Sequence, residues 1–172
     1  MGSTGRKPLT PAPDQNRRPF SWHYPAAKPA NLSGGTMDVL NWKDCEDIQI
    51  KKFPYRGQQN DVKGISIRWL SKHGDDGTGY PEYGLRFFTA QPKGEIPIHN
   101  HFYHQTMYIL SGQFECFQFD PKTDEVVKKK ICGPGDFIYV PSLEPHGMKN
   151  TSDTQPATFL CCICNVYDRK DD

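Results

Sequence analysis

The feature that most limits the possible folds of this sequence is a series of short runs in which apolar and polar residues alternate. Turn residues separate these runs. Beyond about residue 38, runs rich in aromatic and β-branched residues recur at intervals of about 8–12 residues, as in sandwiches and barrels. The runs cover residues 47–53, 64–70, 83–90, 106–110, 113–119, 125–131, 136–140 and 157–167. No segment keeps a helical apolar period for more than two turns. The sequence therefore predicts an all-β sandwich or barrel.

The breaks between these runs hold the residue types that turns require. They include Lys93-Gly94, Ser111-Gly112 and Gly133-Pro134-Gly135-Asp136. The chain of 172 residues contains 15 Gly and 15 Pro, a high share for a helical bundle and a suitable one for short strands. The length predicts a single domain with one sizeable core.

The N-terminal segment differs in composition from the rest. Residues 1–36 are rich in proline and poor in apolar residues, so they cannot bury enough surface to offset the entropy of ordering. We predict an irregular tail or arm over residues 1–36 and a barrel domain over residues 37–172. The aromatic patch at residues 20–24 is expected to dock on the barrel or on a second subunit.

Charge and hydropathy exclude several classes of partner. With 21 Lys and Arg against 20 Asp and Glu, the net charge is +1, so no nucleic-acid partner is expected. The run Lys128–Lys130 lies near Asp124 and Glu125 and is interpreted as a solvated hairpin. No stretch is apolar enough for a membrane span or a secretory signal, which predicts no membrane partner and a cytoplasmic protein. The 6 cysteines are accordingly expected to be reduced.

Histidines are concentrated in two short stretches. His99 and His101 are two residues apart, and residues at i and i+2 of a strand project from the same face. Neutral imidazole is a common ligand for Zn, Cu, Fe and Ni. The pair is therefore a candidate half of a metal site, although such a pair alone is a weak signal.

The spacing around the histidines is more specific. His99-x-His101 follows Gly94 and is followed by Gln105 and Gly112; further on, Gly135, Pro141, His146 and Asn150 occur in series. This pattern resembles the two paired motifs of the cupin superfamily, with Gln105 in place of the usual Glu and Leu143 in place of a Gly. The flanking runs resemble those of small single-domain cupins. The resemblance implies a double-stranded β-helix, the jelly-roll barrel of the family, with an irregular N-terminal arm.

The resemblance also implies a metal site. It places His99, His101 and His146 as three imidazole ligands and Gln105 at the fourth position. The expected cofactor is a divalent transition metal, Fe(II) first, with Ni, Mn, Cu or Zn as alternatives. An amide adds no charge, so such a site would keep the full charge of the ion and favour an anionic substrate. Gln105 could instead hydrogen-bond substrate or O₂, or cap a site that has lost its metal.

Several further residues are candidates for the substrate pocket. Met107 and Ile109 continue the phase of Gln105, and Phe114 and Phe137 follow on later runs, so an apolar pocket or ordinary barrel core is expected there. His104 is out of phase with Gln105 and is either a rim histidine or a catalytic acid or base. Arg68 and Arg86 are either paired at an outer surface or directed at an anionic substrate.

The function implied is a metal-dependent enzyme. The first expectation is a non-haem dioxygenase that cleaves a small enolic, phenolic or diketone-like substrate with O₂. A redox-neutral lyase or isomerase and a non-catalytic cupin that binds a small ligand are the alternatives, because one fold hosts many chemistries. Small cupins usually dimerise, so a homodimer is expected.

Overall fold

The computed structural model describes residues 39–71 and 83–164. The predicted tail over residues 1–36, with its aromatic patch, lies outside the described residues, and so do residues 165–167 of the last predicted run. The side chain of Cys164 is likewise not described.

The described chain is built from strands, which confirms the predicted all-β class. A single 3₁₀ turn at Trp42–Asp44 precedes the first strand. The strands are β1 (Ile48–Tyr55), β2 (Gln58–Ser71), β3 (Tyr83–His99), β4 (Gln105–Ser111), β5 (Phe114–Phe119), β6 (Val126–Cys132), β7 (Phe137–Val140), β8 (His146–Asn150) and β9 (Ala157–Cys164). Every predicted run overlaps a strand, and β8 is a strand that the sequence did not predict.

All strands join one curled antiparallel sheet. Its main path has the order β6-β5-β8-β3-β9-β4-β7, and β2 joins β3 to β1. The long strand β3 changes partner along its length, because its first half pairs with β2 and β9 whereas its end pairs with β8. This change of partner places the end of β3 beside β8, where the two histidine stretches meet.

The core lies on the concave side of the curled sheet. Alternate residues of the strands are buried there, and Phe159 packs against Phe88 and Phe114 at centroid distances of 4.6 and 5.3 Å. Ile67 and Ile109 are fully buried in the same cluster. Burial of large apolar side chains at alternate positions fixes the register, because a slip by one residue would turn them to solvent.

Arg68, one of the two candidate arginines, lies on the outer face of the sheet. The Arg68 guanidinium lies 3.1 Å from the Asp47 carboxylate and 5.3 Å from the centre of the Trp42 ring. Trp42 in turn stacks on Phe87 at 4.3 Å. Arg68 is thus held at the outer surface and does not reach the concave side.

Candidate metal centre

The three motif histidines converge from three places in the chain. His99 ends β3, and His146 begins β8 directly opposite it in the sheet register. His101 lies in the loop after β3, so the expected strand spacing ends at His99, yet its ring still reaches the same point. Ligand atoms of all three rings lie within 4.8 Å of one another, and all three residues are buried. The cluster could therefore hold a metal ion.

A backbone carbonyl fixes the orientation of each ring. The Nδ1 atoms of His99, His101 and His146 lie 3.0, 2.9 and 2.8 Å from the carbonyl oxygens of Pro97, Tyr103 and Glu144. Because a carbonyl oxygen can only accept, each Nδ1 carries the proton and each Nε2 keeps its lone pair. Metal-binding histidines commonly have such a partner on the second ring nitrogen.

Aromatic packing holds the rings in place. His99 stacks on Phe53 at 4.9 Å, and His101 stacks on Tyr103 at 4.2 Å with nearly parallel planes. His146 lies 4.2 Å from His99 and 5.0 Å from His101 between ring centroids. The rings are thus restrained by both stacking and hydrogen bonds.

Burial keeps the three imidazoles neutral. Loss of solvation lowers the pKa of His101 to about 3 and that of His146 to about 4. Burial, followed by the neighbouring His146 and His101, holds the pKa of His99 well below its ordinary value of 6.5. At neutral pH no proton competes for the ring lone pairs, as metal binding requires.

One buried ring nitrogen of the cluster lacks a hydrogen-bond partner within the described part of the chain, and a metal ion could bind to it. The Nε2 atom of His146 is buried and has no hydrogen-bond partner among the described residues. A buried polar atom without a partner loses the hydration that it has in the unfolded chain, at a cost of about 1–3 kcal/mol. A cation bound among the three rings would remove this cost, so the residues present fit a divalent metal.

The Gln105 amide, at the fourth ligand position of the motif, also favours a bound cation. Gln105, the first residue of β4, places its Oε1 atom 2.9 Å from Nε2 of His101. Since the proton of His101 is on Nδ1, two lone pairs face each other and repel unless a cation lies near both or the amide is turned to present N–H. A cation is the simpler solution, because it also satisfies His146.

Comparison with known proteins supports this interpretation. A family model described as "Cupin domain" matches residues 86–163, a range that includes the three histidines and Gln105. The structure of an RmlC-like cupin from Shewanella frigidimarina is similar, with a TM-score of 0.54, 16% identity, and coverage of 74% of this chain and 90% of that chain. Residues 86–163 of the chain form a cupin domain.

Two other solved structures resemble this cupin. The polyketide cyclase RemF from Streptomyces resistomycificus has a TM-score of 0.57, 24% identity, and coverage of 80% of this chain and 89% of that chain. A predicted oxalate decarboxylase from Thermotoga maritima has a TM-score of 0.56, 18% identity, and coverage of 74% and 98%. At these identities the likeness concerns the fold alone. No curated protein sequence matches the chain.

No membrane-crossing helix occurs in residues 39–71 or 83–164 of this cupin, since none there is long and apolar enough.

The predicted pocket residues of the cupin separate into different environments. Arg86 and Met107 line a small cavity beside the histidines, whose volume of about 20 Å³ is enough for one water molecule. Ile109 and Phe114 are fully buried in the core and do not line this cavity. Phe137 is 67% exposed and lies at the rim of a larger cleft. The apolar residues predicted for one pocket thus lie in three places. Ile109 and Phe114 are in the core, Met107 lines the small cavity, and Phe137 lies at the rim of the cleft.

His104 lies away from the histidine cluster. Its side chain is exposed, and its Nδ1 atom lies 2.7 Å from the Tyr139 hydroxyl. This agrees with the rim position that its phase predicted as one alternative. A role for His104 as catalytic acid or base stays a prediction.

Arg86 brings a buried positive charge to the cavity. It is 3% exposed, its Nη2 atom donates to the Cys161 Sγ atom at 2.9 Å, and its guanidinium lies 5.4 and 5.2 Å from the rings of Trp69 and Phe88. Burial lowers the pKa values of His99 and His101 most, and the neighbouring His146 has the second largest effect. The charge of Arg86 lowers both pKa values further. The guanidinium thus places a positive charge on the wall of the cavity.

Sequence reasoning missed what Asn150 does at the end of the second motif. Asn150 is fully buried, and its Nδ2 atom lies 2.9–3.1 Å from the carbonyl oxygens of Ala90, Gln91 and Gln155. It ties β8 to the middle of β3 and to the loop before β9. The motif asparagine thus positions strands instead of ligating a metal.

A larger cleft opens on the other side of His146. Its volume is about 350 Å³, and Met107, His146, Gly147 and Met148 line both this cleft and the small cavity. A volume of that order suits a small organic ligand. The cleft is thus a route by which a ligand can approach the histidine cluster.

Proposed function

We propose that this cupin is a metal-dependent enzyme, a non-haem dioxygenase that cleaves a small enolic, phenolic or diketone-like substrate with O₂. The observation that supports it best is the buried Nε2 atom of His146, which lacks a partner among the described residues and faces the other imidazoles. His99, His101 and His146 would hold the ion, with Gln105 beside them. When bound, a first-row divalent ion, Fe(II) in this proposal, supplies a Lewis acid and a redox centre.

The charges around the cluster support an anionic substrate. The three imidazoles are neutral, and Gln105 contributes no charge, so these side chains do not offset the charge of a bound cation. The buried Arg86 adds a further positive charge on the wall of the cavity. An enolate, phenolate or carboxylate oxygen is therefore favoured at this position over a neutral one.

The apolar residues of the cavity keep bulk water away from the histidines. Phe53, Phe88, Met107 and Phe159 form apolar walls around the histidines, and the room left holds about one water molecule. In such an enclosed, largely apolar site the charge of Arg86 acts more strongly than it would in water. Gln105 can donate from its amide nitrogen to a bound oxygen atom once it turns away from His101.

A redox-neutral reaction is the second candidate. The charge of Arg86 would stabilise an enolate whether or not O₂ takes part in the reaction. RemF, similar in fold, is named as a cyclase, and closing a ring between an enolate and a carbonyl needs no O₂. A lyase or isomerase therefore remains the alternative, followed by a ligand-binding cupin without turnover.

Metal analysis and oxygen uptake test the proposal. We expect the purified protein, reconstituted without air, to hold about one divalent ion per chain, and His99→Ala to lose it. With pentane-2,4-dione or catechol, a dioxygenase consumes O₂ in step with substrate loss. Substrate loss in the absence of O₂ would favour the lyase or isomerase. Failure to bind Fe, Mn, Ni, Cu or Zn would overturn the metal site.

Substitution of the amide tests the charge argument separately. Gln105→Glu adds a negative charge beside the imidazoles, so we expect tighter metal binding and weaker binding of catechol. Gln105→Met, which also removes the amide but adds no charge, is the control. Unchanged binding of catechol in Gln105→Glu would contradict a site selective for anions.

A further inference from the structure

Two lysines face the concave side of the sheet, where core residues are expected. On β6, Lys128 lies opposite Gln118 of β5, and Lys130 lies opposite Cys116. Gln118 and Cys116 in turn lie opposite His146 and Met148 of β8. Residues directly opposite in an antiparallel sheet project from the same face. Lys128 and Lys130 therefore share the face of the metal-binding histidine, and both line the larger cleft.

The intervening lysine shows the contrast between the two faces. Lys129 projects from the outer face, where its Nζ atom lies 3.7 Å from the Glu115 carboxylate. Neither Lys128 nor Lys130 forms an ion pair with any residue that the structure describes. The run interpreted from sequence as a solvated hairpin thus presents one paired cation outward and two available cations to the cleft.

The acidic residues of the cleft accept hydrogen bonds from neutral donors, keep their charge and form no ion pair with the two lysines. The Glu144 carboxylate accepts a hydrogen bond of 2.5 Å from Gln118, and the Asp136 carboxylate accepts one of 2.8 Å from the backbone N–H of Gly133. Both residues line the cleft together with the two lysines. An added anion would thus find two ammonium groups that form no ion pair with the described acids.

The sheet register sets the span between the lysines and the histidine cluster. His146, Gln118 and Lys128 lie in one row across β8, β5 and β6. Neighbouring strands are about 4.8 Å apart, so the Cα atoms of His146 and Lys128 are separated by about 10 Å. A ligand about the size of a substituted benzene ring can bridge this span inside the cleft of about 350 Å³.

We propose that Lys128 and Lys130 bind a second anionic group of the substrate, a carboxylate at the end remote from the metal. The substrate class is then a planar acid with an enol or phenol oxygen at one end and a carboxylate at the other. This inference rests on the proposed function, because it takes the histidine cluster as the site of the first oxygen.

A different role for the lysines is also physically reasonable. Strand β6 is an edge of the main sheet path, and inward charges on edge strands discourage pairing with other chains. That role would not depend on which ligand occupies the cleft. It predicts aggregation when the charges are removed, with no change in ligand selectivity.

The test compares two probes that differ only in the distal group. Catechol and 3,4-dihydroxybenzoate share the same pair of phenol oxygens, and only the second has a carboxylate. We measure their dissociation constants by calorimetry on the metal-loaded full-length protein at low salt. Lys128 and Lys130 are exposed, so each is expected to contribute no more than an exposed ion pair does. Together they should favour 3,4-dihydroxybenzoate by up to about tenfold, and 0.5 M NaCl should reduce this preference.

Three variants assign the preference to these side chains. Lys128→Gln with Lys130→Gln should abolish the preference for 3,4-dihydroxybenzoate while leaving catechol affinity and metal content unchanged. Lys129→Gln is the matched control, since it removes a neighbouring charge from the outer face and should retain the preference. Lys130→Arg should retain it too, because the charge remains.

The outcomes distinguish a failure of this inference from a failure of the proposed function on which it rests. If the wild type binds metal and catechol but shows no preference, or if Lys129→Gln loses as much as the double variant, the inference is wrong and the proposed function stands. If the double variant aggregates and its soluble fraction keeps the preference, edge protection is the correct role. If the wild type binds neither metal nor catechol, both proposals are wrong.

Discussion

Leu143 adopts a backbone conformation that leucine rarely takes. Its φ angle is 64°, in the left-handed region, within the turn that leads to His146. Its N–H donates to the His101 carbonyl at 2.7 Å, and its carbonyl accepts from Asn100 at 3.3 Å, so the turn is anchored to the loop that holds His101. This is the position where the cupin motif has Gly, and the structure supplies the physical reason for that residue.

Relief of this strain should stabilise the protein. The left-handed region costs a residue with a Cβ atom about 1–2 kcal/mol, whereas Gly adopts it freely and loses part of the gain through unfolded-state entropy. We expect Leu143→Gly to raise the free energy of unfolding by about 0.5–1 kcal/mol in urea titrations. Leu143→Ala, which keeps the strain, should show no gain. A less stable Leu143→Gly protein would contradict this account.

The long strand β3 contains a bend that the sequence signalled as a break. Lys93 has a φ of 59°, and Gly94 follows it where the strand changes partner. A Cβ atom on Gly94 would lie 2.8 Å from the Gln91 carbonyl oxygen and 2.9 Å from that of Gly64. The turn residues therefore bend one continuous strand, and the close backbone approach directs its end, with His99, toward β8.

Substitution at this bend should affect both stability and metal binding. Gly94→Ala would place a methyl group against two backbone carbonyls, so we expect a loss of about 1–3 kcal/mol and weaker metal binding through displaced His99. Gly133→Ala is the control, because its added Cβ would meet only the Gln113 side chain at 3.9 Å. Thermal unfolding and metal titration measure the two effects. Equal behaviour of the two variants would contradict the role given to the bend.

Local sequence pattern predicted most elements, and tertiary pairing decided the rest. Strand β8 escaped prediction because His146–Asn150 is short and shows no apolar alternation; it is a strand because β3 and β5 pair with it on both sides. The resemblance to the cupin motifs implied that His99, His101 and His146 share one site, and the structure brings their rings together. The contact of Arg86 with Cys161 could not be predicted, since 75 residues separate them and only the β3–β9 register joins them.

At the scale of the whole molecule, one sheet surface has exposed aromatic residues. Tyr108 and Leu110 of β4 and Phe137 and Tyr139 of β7 are exposed, and Tyr108 lies opposite Phe137 in the register. None of these side chains is charged. In the described part of the chain, β7 pairs only with β4, so its other edge is open. An uncharged surface can meet its own copy across a twofold axis without charge repulsion.

We therefore expect a homodimer formed through this surface. Light scattering should give about twice the chain mass of 19.6 kDa. Tyr108→Glu with Phe137→Glu should produce monomers, because burying two charges at the interface is costly. Val127→Glu, at an exposed apolar position on β6, should leave the dimer intact. A monomeric wild type would exclude this assembly.

The carbonyl partners of the three imidazoles have a consequence for the rate of metal exchange. Each ring is oriented by a backbone atom two residues away in its own segment, and so no ring needs to rotate or change tautomer when an ion arrives. An arriving ion thus meets three rings that already have the tautomer and orientation that binding requires. Such a centre could take up its ion after the sheet has formed, so the metal supply of the cell, as much as the protein, would determine which ion it holds.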